Sequence, residues 1–503
     1  MNSIKYDIKN YVKQLSLKFS INVEYFTAWQ TTVIQKFKQR LSLTHITCKR
    51  EKSILASEHE DLDLIKQHFV ITGVDKAANN ISFICKKFYI DTIDNELNNT
   101  ETYELSDKSE EDIVREHIRF CSRFNISVTD RTLPFLHLLP KFHKPQMDYR
   151  FIAAGKKSSL KELSTILCSV LKLVDRTFKF SDSFKFRFKN TAGYWIAKSK
   201  DAAIDSLNYL NNIGSATSIR SFDFKKLYTN LPHDQVLAKI SSLLKRCFEE
   251  KDVAFINVSN SFNASWSSKQ KGKWSLTLDA IIEMFKFLMD NIFVKFRGRI
   301  YRQVIGVPMG CDCAPQVADL FLYWYEHSYI SRETDNGNPV VHILKYCSRY
   351  IDDLNIPNAS DDICNIICND IYPNELEIVL TNSDPKNSTF LDLDIFIKDR
   401  KFHTKLYDKR RDFPFKVITF PNLSSNIPFK QSYGVFTGEL HRLCKSCSNI
   451  NDFVLEVQLL INKLCNQKFE KCILLKKLNI FLKKKPACLS KYWRNLNVND
   501  FIF

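Results

Sequence analysis

The chain has 503 residues, 44% hydrophobic and 26% charged, which is enough apolar side chain for several packed units and excludes a disordered class. Its 73 Lys and Arg against 56 Asp and Glu leave a net charge of +17, which suits a polyanionic partner such as nucleic acid or an acidic membrane surface. With no run of about 18 apolar residues and no apolar signal-peptide core after Met1, an intracellular soluble protein is expected, nuclear or cytoplasmic and without a membrane partner. The 15 cysteines are scattered and odd in number, so most are expected reduced and buried. Cys364 with Cys368, and Cys444 with Cys447 after His441, lack a second half at zinc spacing, and buried thiols are the expectation there too.

Residues 1–60 read as helical and basic, with Tyr11, Val12, Leu15, Leu17 and Phe19 on an irregular apolar face and Lys36, Lys38 and Arg40 exposed. Residues 69–86 are two β-like runs around a polar connection, a hairpin expected to present Asp75 and Lys76. Residues 94–112 read as a helix end and a surface linker. From Leu133 basic residues alternate with apolar ones on short strands. This is expected to put Lys141, Lys144 and Arg150 on one sheet face, where they suit a triphosphate or a nucleic-acid backbone; a solvated face explains them equally well. Residues 160–212 read as mainly helical. Within them, residues 178–189 interleave aromatics with cations, a pattern shared by base-stacking surfaces and by strands with an apolar inner face.

Residues 219–232 predict a strand that delivers Asp223 at its end, then a helix with Pro232 at its first position. Residues 251–273 are polar and read as a surface excursion. An amphipathic helix follows over 278–288, then a hairpin turning at Gly298 and a glycine loop, Gly306 to Gly310, whose residues permit close backbone approach. Pro315 is placed to open a helix with Val317, Leu320, Phe321, Trp324 and Tyr325 on its core stripe. Residues 461–495 carry ten Lys or Arg against Glu470 alone, including Lys483, Lys484 and Lys485; they fit a helix gripping a duplex or a solvated helix face.

The centre of the chain is residues 345–357, where Asp352 and Asp353 interrupt strand-forming residues Tyr350, Ile351, Leu354 and Ile356. Such a pair is also what an ordinary surface turn carries. Strand alternation turns the two side chains to opposite faces, and Asp352 is expected to be the one aimed inward. Phosphoryl transfer from a nucleoside triphosphate uses two divalent cations roughly 3.5 to 4 Å apart, held by carboxylate oxygens. Asp223 meets Asp352 and Asp353 only if their strands are neighbours in one sheet.

With these parts in this order the chain resembles a reverse transcriptase, in particular the Penelope-like element family, whose polymerase is akin to telomerase. The similarity extends over about residues 65–450. It rests on Asp75-Lys76, followed by Ala77 where the common form has Gly; on Pro140 to Lys144 with Arg150-Phe151-Ile152; and on Phe222-Asp223 through His233. It also rests on Gly306-Val307-Pro308-Met309-Gly310 through Pro315, on Arg349 to Asp353, on Phe390 to Asp394 and on Lys405 to Lys409.

The resemblance implies an α+β right-hand polymerase: an N-terminal extension over 1–114, fingers over 115–215, a palm with an antiparallel sheet over 216–400, and a mainly helical thumb with a basic tail over 401–503. It implies an RNA-directed DNA polymerase of a retroelement, with Asp223, Asp352 and Asp353 as catalytic ligands of two Mg2+ ions, for which Mn2+ can substitute. Lys141, Lys144, Arg150, Tyr228, Met309 and Gly310 are its implied nucleotide contacts, and Lys483 to Lys485 its nucleic-acid contacts. The implied partners are an RNA template, a DNA or RNA primer and deoxynucleoside triphosphates. Cys311 and Cys313 stand where the family often has small hydroxyl residues or glycine. Many members carry a C-terminal GIY-YIG nuclease, whose signature is not found before Phe503.

Overall fold

The structure is a computed structural model that describes residues 8, 11–12, 23–43, 56–185, 191–308, 310–420, 422–423, 427–484 and 496–501. The expectations for Leu15, Leu17, Phe19, Met309, Lys485, residues 186–189 and the side chains of Arg40, Phe184 and Lys185 lie outside the described residues. Helices Thr27–Leu43 and Ala56–His68 lead into a hairpin of β1 (Phe69–Val74) and β2 (Ala77–Cys85). Helix Lys86–Leu97 is followed by β3 (Tyr103–Leu105) and helix Glu110–Arg123, where a linker was expected. The helix starts as it does because Ser109 accepts a hydrogen bond from the Asp112 amide and three acidic residues fill the first turn.

A second hairpin, β4 (Leu136–Pro140) and β5 (Tyr149–Ala153), precedes the long helix Lys161–Lys185 and helix Lys200–Ile213. The described part of the aromatic-cationic run is therefore helix, with Phe178 buried and Phe180 exposed, and not strand. Next come β6 (Ile219–Phe224), a single helical turn Leu227–Asn230 and helix His233–Lys251. Pro232 is the cap of that helix, one position ahead of the expected one.

The polar stretch after it is a correction: β7 (Phe255–Val258), β8 (Ala264–Ser267) and β9 (Trp274–Leu276) form a three-stranded sheet. Ile256, Val258, Trp274 and Leu276 are buried, and only 268–273 is a wholly exposed excursion. Helix Leu278–Asp290 leads to β10 (Phe293–Phe296) and β11 (Arg299–Gln303), which turn at Arg297 and Gly298, both at positive φ as two-residue hairpin turns require. Helix Ala314–Asp335 has Pro315 in its first turn and buries Val317, Leu320 and Phe321. Trp324 and Tyr325 are only half-buried, and Lys239 Nζ lies 3.5 Å from the Trp324 ring centroid.

Then follow β12 (Ser348–Tyr350), β13 (Asp353–Pro357), helix Asp361–Asn369 and β14 (Ile378–Leu380). The last sheet is β15 (Asn387–Phe390), β16 (Leu393–Lys398) and β17 (Lys401–Leu406), before helices Phe429–Ser446, Ile450–Cys465 and Lys471–Lys484. The sheet that positions the site is four-stranded and antiparallel, in the order β12-β13-β6-β14. One face is dry: Phe222, Phe224, Leu354 and Ile356 share a core with the helices from Lys161–Lys185, His233–Lys251 and Ala314–Asp335. The last three helices enclose a second core around Phe436, Leu440, Phe453, Val457 and Leu474. The fold is α+β: an antiparallel sheet packed on long helices, followed by a separate helical core.

Candidate active site

Asp353, the first residue of β13, lies directly opposite Asp223 of β6 in the antiparallel register. Directly opposed residues have Cβ atoms about 4.5 to 5.5 Å apart and point to the same face. Their neighbours Leu354 and Phe222 point the other way and are buried, which leaves the two carboxylates at the open face. The expectation that Asp352 is the inward residue rested on strand alternation, and the register removes that ground. Tyr350 pairs with Asp353, so Ile351 and Asp352 form the two-residue turn and strand alternation does not apply to Asp352. Its backbone carbonyl still accepts from the Phe224 amide at 3.4 Å, which keeps the turn against the end of β6. Ile351 sits at φ +56, a conformation that costs a β-branched residue energy and that persists only where the surroundings enforce it.

The charges show how tightly these groups are gathered. The Asp353 carboxyl is pushed up to about 6, first by burial and then by the charges of Asp352 and Asp223, against the pull of Lys409 and Lys76. Asp223 is also raised, by burial and then by Asp352, while Lys144, Lys409 and Lys76 oppose the shift. Three acidic groups thus share one field, ringed by lysines from three distant parts of the chain. Lys76 is lowered by desolvation and then by Lys409, with Arg150 and Lys144 adding to it, so the cations crowd one another as well. Lys76 and Lys409 were not named as site residues from the sequence. Their signals were in the Asp75-Lys76 turn and the Lys405–Lys409 segment, but nothing in either linear context relates them to Asp223.

The remaining expected residues divide. Asp75 is not presented to solvent: it is 4% exposed, and its Oδ1 is 3.1 Å from Arg150 Nη1 while Oδ2 has no hydrogen-bond partner. Lys141 and Lys144 lie in the turn after β4 and only Arg150 is on a strand, so the three do not share a strand face. Lys141 is held by Asp148 at 2.8 Å, whereas Lys144 is exposed.

Tyr228 is half-buried in the turn Leu227–Asn230 that follows β6, and its hydroxyl is shifted up first by burial and then by the Asp352 charge. The glycine loop packs against this turn. Val307 N donates to Tyr228 O at 2.7 Å, and a Cβ on Gly306 would lie 2.6 Å from that oxygen. Gly310, at φ +125, packs against the backbone of Ala153 and Gly155 so closely that no Cβ fits on either glycine. Asp312 is anchored by Lys161 at 2.5 Å and Thr165 at 2.6 Å, and Cys311 Sγ lies 3.0 Å from Ser164 Oγ and 3.6 Å from Cys313 Sγ. Lys483 and Lys484 are exposed at the end of the thumb helix Lys471–Lys484 and are not part of this gathering.

Among the described residues no three Asp, Glu, His or Cys side chains close into a metal cage, and no helix is long and apolar enough to cross a membrane. The donor chemistry nonetheless fits a hard divalent cation. Asp223, Asp352 and Asp353 offer only oxygen, and their mutual repulsion is a cost that a bound cation removes.

No protein-family model matches the chain, and no curated protein matches it. Solved structures do. Telomerase from Candida albicans, determined with a fragment of telomeric RNA, is similar at a TM-score of 0.58 and 14% identity, over 85% of this chain and 68% of that one. Apo telomerase from Candida tropicalis is similar at 0.47 and 14% identity, over 88% and 76%. A sicinivirus RNA-dependent RNA polymerase reaches 0.32 at 10% identity, over 57% and 56%. The architecture is thus the right-hand polymerase fold in a form shared with telomerase, and the paired carboxylates lie on its palm sheet.

Proposed function

We propose that the chain is an RNA-directed DNA polymerase of a retroelement, of the Penelope-like kind, that adds deoxynucleotides to a primer 3′ end on an RNA template. The observation that carries the reading is Asp353 directly opposite Asp223 on adjacent palm strands, with Asp352 in the turn beside them. When bound there by Asp223, Asp352 and Asp353, two Mg2+ ions, or Mn2+, supply activation of the attacking 3′ oxygen and charge neutralisation at the departing pyrophosphate.

The chain's own residues do the rest. Lys144, Arg150, Lys76 and Lys409 form a cationic wall facing the carboxylates and hold the triphosphate by charge-assisted hydrogen bonds. The Tyr228 ring, in the turn that follows the Asp223 strand, blocks a ribose 2′ hydroxyl, which selects deoxynucleotides. The loop from Gly306 packs against the Tyr228 turn and borders the nucleotide, for which Met309 and Gly310 are further contacts, and Lys483 to Lys485 neutralise duplex phosphates. An RNA-copying RNA polymerase is disfavoured by Tyr228, because such enzymes commonly have an acidic residue five positions after the first palm Asp. A binder without activity gains nothing from clustered negative charge beside nucleic acid.

The test is primer extension by the purified chain on an RNA template with Mg2+ and either deoxy- or ribonucleotides. The expected result is deoxynucleotide addition that Asp352→Asn and Asp223→Asn abolish while RNA binding persists. Extension by either variant at the parental rate, or exclusive use of ribonucleotides, overturns the proposal.

A further inference from the structure

Directly behind the catalytic turn lies a charged side chain with no water at all. Arg349, in β12, is 0% exposed. Its Nη1 donates to Asp319 Oδ1 at 2.9 Å and to the backbone carbonyl of Ile351 at 3.0 Å. Its Nη2 donates to the Asp319 carbonyl at 3.0 Å and to Glu326 Oε2 at 3.3 Å, and its Nε donates to Glu326 Oε1. Tyr372 OH donates to the same Glu326 oxygen at 3.0 Å, and Lys198 bridges Asp319 at 3.2 Å and Asp175 at 3.0 Å. The backbone of Arg349 is fixed as well: its amide donates to Trp195 O at 2.8 Å, and its carbonyl accepts from Ala197 N at 2.7 Å.

A buried ion set of this kind is weak evidence for stability, because desolvation offsets most of the attraction and a packed apolar replacement is often as stable. Its retention calls for a second reason, and the geometry supplies one. Ile351 is the residue of the turn at φ +56, and its carbonyl is the one that Arg349 holds. Asp319 and Glu326 lie on helix Ala314–Asp335, which begins directly after the glycine loop, so the guanidinium ties that helix to the Ile351-Asp352 turn. On this basis, and resting on the polymerase reading, we infer that Arg349 is a positioning residue: its fork, oriented by Asp319 and Glu326, holds the strained turn so that the Asp352 and Asp353 carboxylates stand at the spacing a divalent cation requires. The guanidinium pairs with Asp319, Glu326 and the Ile351 carbonyl, not with Asp223, Asp352 or Asp353. It acts through one carbonyl.

Arg349→Lys keeps the charge that balances Asp319 and Glu326 but cannot make the fork, and Asp319→Asn is isosteric and loosens the same fork from its other side. Two readouts are taken on the full chain. One is Mn2+ affinity by electron paramagnetic resonance without nucleic acid; the other is single-nucleotide extension resolved into kcat and KM. Removing the support of a metal ligand typically costs about 10- to 100-fold in metal affinity or activity. Arg349→Lys is therefore expected to lower kcat and Mn2+ affinity by about that factor while KM for the nucleotide moves less than about threefold. Asp319→Asn is expected to do the same more weakly. Leu440→Ala, a truncation in the separate core of the last three helices, should lower the melting temperature with kcat and Mn2+ affinity unchanged.

If either Arg349 or Asp319 variant is too unstable to purify, the other carries the measurement. Parental kcat and Mn2+ affinity in the folded variants overturn the inference, whatever their melting temperatures. If the parent itself adds no nucleotide, the polymerase reading fails and the Mn2+ affinities alone decide the role of Arg349.

Discussion

Asp353 illustrates how a site residue takes on an energetic signature once its neighbours are known. Its folded value of about 6 lies above the roughly 3.9 of an unfolded aspartate, so folding favours the protonated form. The stability contributed by that proton is fully present below about pH 4 and is lost as pH rises through about 6. At pH 7.5 the metal-free protein therefore carries a penalty of at most about 3 kcal/mol, which Asp353→Asn removes. Thermal unfolding without metal should show the variant a few degrees more stable than the parent at pH 7.5 and equal to it near pH 4. A variant that melts with or below the parent at both pH values refutes the assigned crowding.

Tyr228 makes a separate prediction. Tyr228→Ala should relax the barrier to ribonucleotides, measured as the ratio of kcat/KM for deoxy- over ribonucleotides. A ring that only packs would instead cost about 3 to 5 kcal/mol of stability and leave the ratio alone. The meeting of Asp223 with the Asp352-Asp353 turn was legible because each sits in a short motif with a fixed offset. Lys409 and Lys76 were not, since a lone lysine in a turn has no offset to anything, and only the folded chain sets it opposite a carboxylate.

Among the elements, those with strong local signals were read correctly and those defined by tertiary partners were not. The Gly298 hairpin, the helix after Pro315 and the strand that carries Asp223 next to its end each have turn or periodicity cues. By contrast, β7 to β9 are strands of four, four and three residues in a Ser- and Asn-rich stretch, and their inward face is specified by Ile256, Val258, Trp274 and Leu276, too few for a periodic pattern. Strand β3 also has three residues and exists because β11 pairs with it. The alternation argument for Asp352 failed for a related reason: it predicts side-chain direction only along a ladder, and the ladder stops at Tyr350.

The contact of the glycine loop with the Tyr228 turn gives this scale its test. In Gly306→Ala the new Cβ would lie 2.6 Å from Tyr228 O and 2.7 Å from Thr229 Cα, at φ +83. Gly337→Ala, at φ +69 with open space around it, carries the backbone cost without the collision. Gly306→Ala should therefore destabilise by about 1 to 3 kcal/mol more than Gly337→Ala in chemical unfolding. Equal losses would mean that the loop does not rest on the turn.

For the whole molecule, the α+β right-hand architecture was legible from the order of motifs, while the way distant ends meet was not. The N-terminal hairpin reaches the segment after β17: Asn79 and Asn80 hydrogen-bond to the backbone of Ile418 and Lys416, and Val74 and Ala77 pack with Phe413 and Val417. This closure brings Lys76 into the field of Lys409, in a chain whose net charge is +17. A charge of that size attracts any polyanion, so affinity alone says little about where nucleic acid lies; its salt dependence says more. Each phosphate neutralised on duplex DNA contributes about 0.9 to the slope of log affinity against log salt.

Lys483 and Lys484 are exposed at the end of the thumb helix Lys471–Lys484, whose other side packs Leu474, Leu478 and Phe481 into the thumb core, so neutralising the two lysines should leave the helix folded. If both contact phosphates, the double substitution Lys483→Gln and Lys484→Gln should reduce the slope for a primer-template duplex by about 2 and leave the melting temperature within about a degree. Titration of binding between 50 and 300 mM salt, by fluorescence anisotropy, measures this directly. A double variant with the parental slope, at whatever affinity, would place the duplex elsewhere on the basic surface and remove these lysines from the thumb's nucleic-acid contacts.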